Sequence, residues 1–453
     1  MKKLLGLIFH PWLLAALGLL ALSVAIWIIG PMIMVDRWRP LESESARWIF
    51  IGALVALVLL RQVWRGWKAR RTNTHVVAQL TAATPSPAAN DPANAEVAVL
   101  QQRFNQALEQ LRQARFTSGR KGPGAVWSDF SARIGKRYLY ELPWYVIIGA
   151  PGSGKTTALL NSGLNFPLSS TMGEHSVRGI GGTRNCDWWF TDEAVLIDTA
   201  GRYTTQTSDA ETDAKAWEGF LGLLKRSRPR QPVSGVLVTV SVSDLLMQSA
   251  AERATHAQAV RRRVQELHQH LGIRFPIYLL VTKCDLLAGF TDYLGDIDKE
   301  ARATPWGFTF KLDGEQRTDL SAFNNEYEAL EKRLQDGVID RLQPERDAQR
   351  RARIYAFPQQ FAGLRDVLFE FSQKVFSPSQ FEQHPLLRGV YFVSGTQEGT
   401  PIDRMLGRLS RSFGLSSDTA AVVPGQGRSY FLTRLLREVV FAESGLSGTN
   451  LKW

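Results

Sequence analysis

Gly149-Ala150-Pro151-Gly152-Ser153-Gly154-Lys155-Thr156 carries the pattern GxxxxGK[ST], and Thr157 continues it. Residues of these types at this spacing suit one task, wrapping backbone around phosphate. Glycines let successive N–H groups turn toward one anion. Lys155 is long enough to reach the β- and γ-phosphates, and the Thr156 hydroxyl suits Mg²⁺. The flanks agree. Trp144 to Ile148 (WYVII) reads as an apolar strand, and Thr156 to Asn161 as the start of a helix whose N-terminus favours negative charge. A chance match in a glycine turn would lack both.

Further motifs lie at the ends of apolar runs. Asp198-Thr199-Ala200-Gly201 follows AVLI. A carboxylate there suits Mg²⁺, directly or through water, and the Gly201 N–H can face the γ-phosphate. Thr282-Lys283-Cys284-Asp285 follows IYLLV and resembles the guanine-reading element of GTPases. The Asp285 carboxylate can accept from the guanine N1–H and 2-amino group, a donor pair that adenine lacks, while the Lys283 stem packs over the base. An ordinary strand-to-loop turn is the alternative. Ser394-Gly395-Thr396, after VYFV, is a further candidate base-side loop. In Gly181-Gly182-Thr183-Arg184, Thr183 is a candidate Mg²⁺ ligand; the alternative is a glycine turn before an aromatic strand. Arg202 stands where several GTPases carry a water-positioning Gln. A guanidinium cannot orient water in that way, although it can stabilise phosphate charge. The candidate catalytic residues are thus Lys155, Asp198 and Arg202, with Thr156, Asp198 and Thr183 on the metal. The cofactor is GTP or ATP with Mg²⁺, and any hydrolysis is expected to be slow. His175 and His256 lack partners at ligand spacing and read as surface or structural residues.

These motifs need a sheet to hold them. Apolar runs at 144–148, 194–197, 235–242, 277–281 and 390–393 alternate with helical stretches such as Thr255 to Leu271. Continuous apolar strands alternating with helices predict an α/β fold, a mostly parallel sheet covered on both faces. The reading is a P-loop NTPase-like domain over 144–424, interrupted at about 286–387 by a largely helical insertion. Within it, Asp319 to Leu342 and Phe361 to Val375 read as helices. A helical lead-in covers 96–143, with helices at Glu96–Phe116 and Val126–Tyr140. A helical segment at 425–453 closes the chain.

The first 71 residues differ in character. Pro11 to Val35 carries no charge and is long enough to cross a bilayer, which takes about 20 apolar residues. A second span is read at 48–64, with Trp at both ends. A signal peptide is disfavoured, because the apolar stretch is too long and no A-x-A site follows. Lys2 and Lys3 precede the first span, and Arg61, Arg65, Lys68, Arg70 and Arg71 follow the second. The positive-inside rule places both ends in the cytoplasm. Residues 72–95, rich in Ala, Thr, Pro and Asn, read as a flexible tether. The 453-residue chain has a net charge of +11 but no nucleic-acid-binding module. Its two cysteines, Cys186 and Cys284, with no paired CxxC, argue against a disulfide framework and a cysteine zinc site.

The order of P-loop, GGTRNCDWWF, DTAGRY and TKCD continues into LLRGVYFVSGTQEGTPIDRML at 386–406 and SYFLTRLLREVVFAESGL at 429–446. The last two blocks have no generic phosphate-binding meaning. Together with FPQQFAGL at 357–364, they make the chain resemble the IcmF/TssM family of type VI secretion, over essentially its whole length. The resemblance implies a multi-pass scaffold in the bacterial inner membrane with its soluble domain in the cytoplasm. Its partners would be a TssL/DotU-like membrane protein, a TssJ-like lipoprotein reached through a periplasmic region, baseplate components and further copies of itself. Family members continue into a third span, which Trp453 would be approaching, so a fragment is expected. Members differ in whether they keep the P-loop. Two other readings stay open: a membrane-anchored protein-targeting GTPase, whose class shares GKTT, DTAGR and TKCD, and a structural module with a vestigial pocket.

Overall fold

The computed structural model describes residues 142–166, 186–205, 210–312, 318, 320–378, 384–395 and 429–449, with shorter pieces at 23, 27, 43–45, 48–52, 97–102, 104–105 and 140. The chain divides into Met1–Pro87 with Gly122–Lys136, and Ala88–Lys121 with Arg137–Trp453. In the first unit the rings of Trp27 and Trp48 lie 5.3 Å apart. Among the described residues no helix is long and apolar enough to cross a membrane. The spans read at 11–35 and 48–64 lie almost wholly outside them, as do the tether at 72–95 and most of the helix read at Val126–Tyr140.

The second unit is built on a seven-stranded sheet. Its strands are β1 (Trp144–Gly149), β2 (Cys186–Phe190), β3 (Val195–Thr199), β4 (Gly235–Ser241), β5 (Pro276–Thr282), β6 (Gly307–Thr309) and β7 (Leu386–Phe392), in the order β2-β3-β1-β4-β5-β7-β6. The five inner strands run parallel, and the edge strands β2 and β6 are antiparallel to their neighbours. Every residue of β1, β3, β4, β5 and β7 is buried. That is why these segments read as continuous apolar runs and not as alternating ones. The order reverses at β1. In open parallel sheets, ligands bind outside the carboxyl ends of the strands near such a reversal.

Helices between the strands cover the sheet. α1 (Lys155–Leu160) follows β1, and α2 (Gly201–Thr205) and α3 (Ala210–Ser227) follow β3. Next come α4 (Val242–Met247) and α5 (Ala250–Leu271). α5 starts at Ser249, whose side chain and that of Glu252 cap each other's backbone N–H. This capping box starts the helix earlier than the Thr255 read from periodicity.

Between β5 and β7 lie α6 (Phe290–Leu294), α7 (Lys299–Ala303), α8 (Phe323–Asp336), α9 (Val338–Leu342), α10 (Ala348–Ala362) and α11 (Arg365–Phe376). The helix expected over Asp319 to Leu342 is thus two, parted at Gly337. The helix expected over Phe361 to Val375 begins at Arg365, because Phe361 belongs to α10. Arginines and Pro358 hide α10 from a hydrophobicity reading, yet Ile354, Phe357 and Phe361 line one buried face at helical spacing. Strand β6, only three residues long, gave too little pattern to find and lies inside the stretch read as helical.

The core continues past the sheet on both sides in sequence. Leu100 and Phe104 are buried, and the Phe104 ring lies 4.9 Å from that of Trp188. Val97 fills the space over Gly219 of α3, where an added Cβ would stand 2.8 Å from Val97 Cγ2. At the other end, a π-helix at Leu435–Phe441 buries Leu435, Leu436, Val440 and Phe441.

Candidate functional site

The Gly149–Thr156 segment leaves the carboxyl end of β1 and turns twice through left-handed backbone, at Gly152 (φ 73) and Gly154 (φ 79). Only glycine adopts this conformation at no steric cost. Gly149 is required for another reason: a Cβ there would lie 2.1 Å from Thr239 Oγ1. Ala150 and Pro151 complete the turn, in which the Ser153 N–H donates to Ala150 O at 3.2 Å.

Hydroxyls at the ends of neighbouring strands brace the loop. Thr239 of β4 meets Ser153 Oγ at 2.8 Å, Thr282 of β5 donates to Ser153 O at 2.6 Å, and Thr199 of β3 donates to Ile147 O at 2.7 Å. The Gly149 N–H donates to Thr204 Oγ1 at 3.2 Å. The sequence reading did not single out Thr199, Thr204 and Thr239; hydroxyls toward the ends of apolar strands were the signal for Thr199 and Thr239, whereas Thr204 lies on α2.

Lys155 is 6% exposed. Its ammonium donates to Gly149 O and Ala150 O, each at 2.9 Å. Burial lowers its pKa to about 8, against the opposing pull of Asp198 and Asp244. Asp244, in the first turn of α4, is a carboxylate near this cation that the motifs did not reveal. The Thr156 hydroxyl donates to Asp198 Oδ2 at 2.5 Å. Gly201 lies directly under the loop, where a Cβ would stand 2.4 Å from Pro151 N. The structure thus brings Lys155, Thr156, Asp198 and Gly201 together. Arg202 turns the other way: its guanidinium pairs with the buried Asp213 of α3 at 2.5 Å and lies 4.9 Å from the Tyr203 ring centre. Thr183 and its glycines, His175 and Thr396 lie outside the described residues. His256 is buried edge-on to Phe371, a structural position.

The residues read as candidates for the base side also converge. Asp285 is 7% exposed and accepts the Ser394 hydroxyl at 2.6 Å. Burial raises its pKa, and the Ser394 hydrogen bond opposes the rise. The Cys284 N–H donates to Val393 O at 3.3 Å, tying this loop to the end of β7. Lys283 holds a left-handed backbone (φ 57), strain that a non-glycine residue keeps only where its surroundings impose it. Gly395 packs on Thr157, with a Cβ position 3.1 Å from Thr157 Cγ2. Among the described residues no group of three or more His, Cys, Asp and Glu could hold a metal ion. The Thr156 hydroxyl and Asp198 carboxylate are hard oxygen donors. They fit Mg²⁺, which takes one or two protein ligands and fills its shell with water and phosphate.

A family model described as the IcmF-related N-terminal domain matches residues 210–453. The type VI secretion system component TssM1 of Pseudomonas aeruginosa is 53% identical over 377 residues, covering 83% of this chain and 33% of that protein. The chain spans about a third of the length of the curated relative it matches. Identity at this level over most of the chain, joined to the family match, shows that the chain belongs to the IcmF/TssM family.

Proposed function

We propose that this chain is part of a type VI secretion component, an inner-membrane scaffold whose P-loop NTPase-like domain binds a purine nucleoside triphosphate with Mg²⁺. One observation carries the nucleotide reading. Segments far apart in sequence meet at the carboxyl ends of the parallel strands and bond to one another: Thr156 to Asp198, Thr282 to Ser153, and Ser394 to Asp285. Gly149 to Thr157 wraps the phosphates. Lys155 is the buried cation facing them, and Gly201 brings the β3 loop to the γ-phosphate. Thr156 and Asp198 would hold Mg²⁺, which neutralises phosphate charge, and Thr183 is proposed as a third ligand. Asp285, with Lys283 and Ser394, selects guanine over adenine. Thr282 serves the base loop by fixing it to the P-loop.

Arg202 acts as a positioning residue, since its guanidinium ties the Gly201 segment to α3. No group at that position orients water, so turnover is slow and bound nucleotide works as a switch for assembly. TssL/DotU-like and TssJ-like proteins, the baseplate and a second copy of the chain are the proposed partners. The lipid bilayer holds the N-terminal spans.

The base assignment is tested with Asp285→Asn. Loss of the carboxylate should cut GTP affinity by at least about tenfold, about 1.4 kcal/mol, and shift preference toward xanthosine triphosphate. Fluorescence titration of both nucleotides and ATP measures it. Wild-type chain that binds ATP more tightly than GTP refutes the guanine reading.

A further inference from the structure

The blocks at 386–406 and 429–446 have no phosphate-binding meaning of their own, yet residues from both meet at two places. At the carboxyl edge of the sheet, the Ser394 N–H donates to Tyr430 O at 3.2 Å, and the Tyr430 N–H donates back to Ser394 O at 2.8 Å. The hydroxyl of this same Ser394 lies on Asp285 at 2.6 Å. Close by, Thr433 packs beyond the end of α1, where a Cβ on Gly163 would lie 2.9 Å from Thr433 Oγ1.

At the amino edge, Glu443 receives both the Nε and Nη2 of Arg388, at 2.9 and 2.6 Å, and the Tyr278 hydroxyl at 2.8 Å. Arg388 and Tyr278 each stand at the third position of their strands, β7 and β5. The Tyr145 hydroxyl of β1 donates to Val440 O at 2.7 Å. The segment then leaves past Val233 and Arg274, with Ser447 Oγ donating to Val233 O at 2.8 Å and the Gly448 N–H donating to Arg274 O at 2.7 Å.

Residues 429–449 therefore form a strap across the height of the sheet, bonded to the base loop at one end and to the feet of three strands at the other. Two features mark it as held in place and not relaxed. Phe431 keeps a left-handed backbone (φ 64), which a bulky residue adopts only when its surroundings impose it. The middle of the strap is a π-helix, a rare form frequent at functional sites.

We propose that this strap carries the state of the base site to the opposite edge of the sheet: a guanine nucleotide on Asp285 and Ser394 locks the strap, and the strap in turn positions Ser394. The inference rests on the nucleotide reading above. Coupling between two sites is reciprocal, so loosening the far end must weaken the nucleotide as much as the nucleotide tightens the strap.

Tyr278→Phe and Tyr145→Phe each remove one hydrogen bond at the amino edge and touch no nucleotide loop. With the full chain, Mg²⁺ and GTP, each should weaken GTP by about threefold, the order of one net hydrogen bond. In wild-type chain, GTP should slow amide hydrogen exchange over 435–446 as well as at the nucleotide loops, and slow it less in the two variants. Exchange over 435–446 that ignores GTP, or unchanged GTP affinity in both folded variants, overturns the strap and leaves the nucleotide site standing. Wild-type chain that does not bind GTP overturns the guanine reading and the strap together. Should either variant fail to fold, the wild-type exchange decides alone.

Discussion

Lys155→Ala is expected to weaken Mg²⁺·GTP at least about tenfold, a loss of about 1.4 kcal/mol or more. This ammonium sits in poor surroundings, 6% exposed and bonded to two backbone carbonyls. The fall of its pKa from 10.5 to about 8 corresponds to about 3 kcal/mol against the charged form. A triphosphate supplies the missing negative charge, so binding stabilises the ammonium and raises its pKa. The sign follows from linkage. Above pH of about 8 the empty site has lost this proton and must regain it on binding, so GTP affinity falls as pH rises. Below that pH the proton is already present, and this contribution is flat. Titrations across the range in wild type and variant measure both effects. Unaltered affinity in folded Lys155→Ala, or a variant that keeps the alkaline fall, would remove Lys155 from the site.

Glu443→Ala is expected to cost about 3 kcal/mol of stability, read by urea unfolding of the full chain. Removing one member of a buried ion pair leaves the other charge uncompensated, at about 3–5 kcal/mol. The side chains of Arg388 and Glu443 are 8% and 22% exposed. The partial exposure of Glu443 puts the value at the lower end of that range. Three donors lose their acceptor at once, the Nε and Nη2 of Arg388 and the hydroxyl of Tyr278. Glu443→Gln keeps one acceptor and should lose less. A loss below about 1 kcal/mol in the alanine variant, the range of exposed pairs, would mean that solvent already satisfies Arg388.

Much of this fold is written in local pattern. The inner strands are mostly apolar because both their faces are covered, and each motif sits at or just past the carboxyl end of one of them. Thr156 and Asp198 stood out by type and position, and they meet at 2.5 Å. What pattern did not carry was pairing across long stretches of chain. Tyr430 reaches Ser394, and Glu443 reaches Arg388, through contacts that no local periodicity encodes. Arg202 shows the same limit. Its place after DTAG marks it as a site residue, but its orientation depends on Asp213, eleven residues on and buried in the first turn of α3. The arginine-rich helix α10 was missed because its buried stripe is narrow and its exposed face dominates the composition.

The contact between Val97 and Gly219 bears on where this domain can be cut. Phe104 lies against Trp144 and Trp188, rings of the first strand and of an edge strand, and Leu100 is buried nearby in sequence. A recombinant piece starting at the P-loop strand would turn that covered aromatic surface outward. Apolar surface newly opened beside a sheet edge invites self-association. The smallest soluble unit of this chain therefore begins ahead of residue 97, well upstream of the first nucleotide motif.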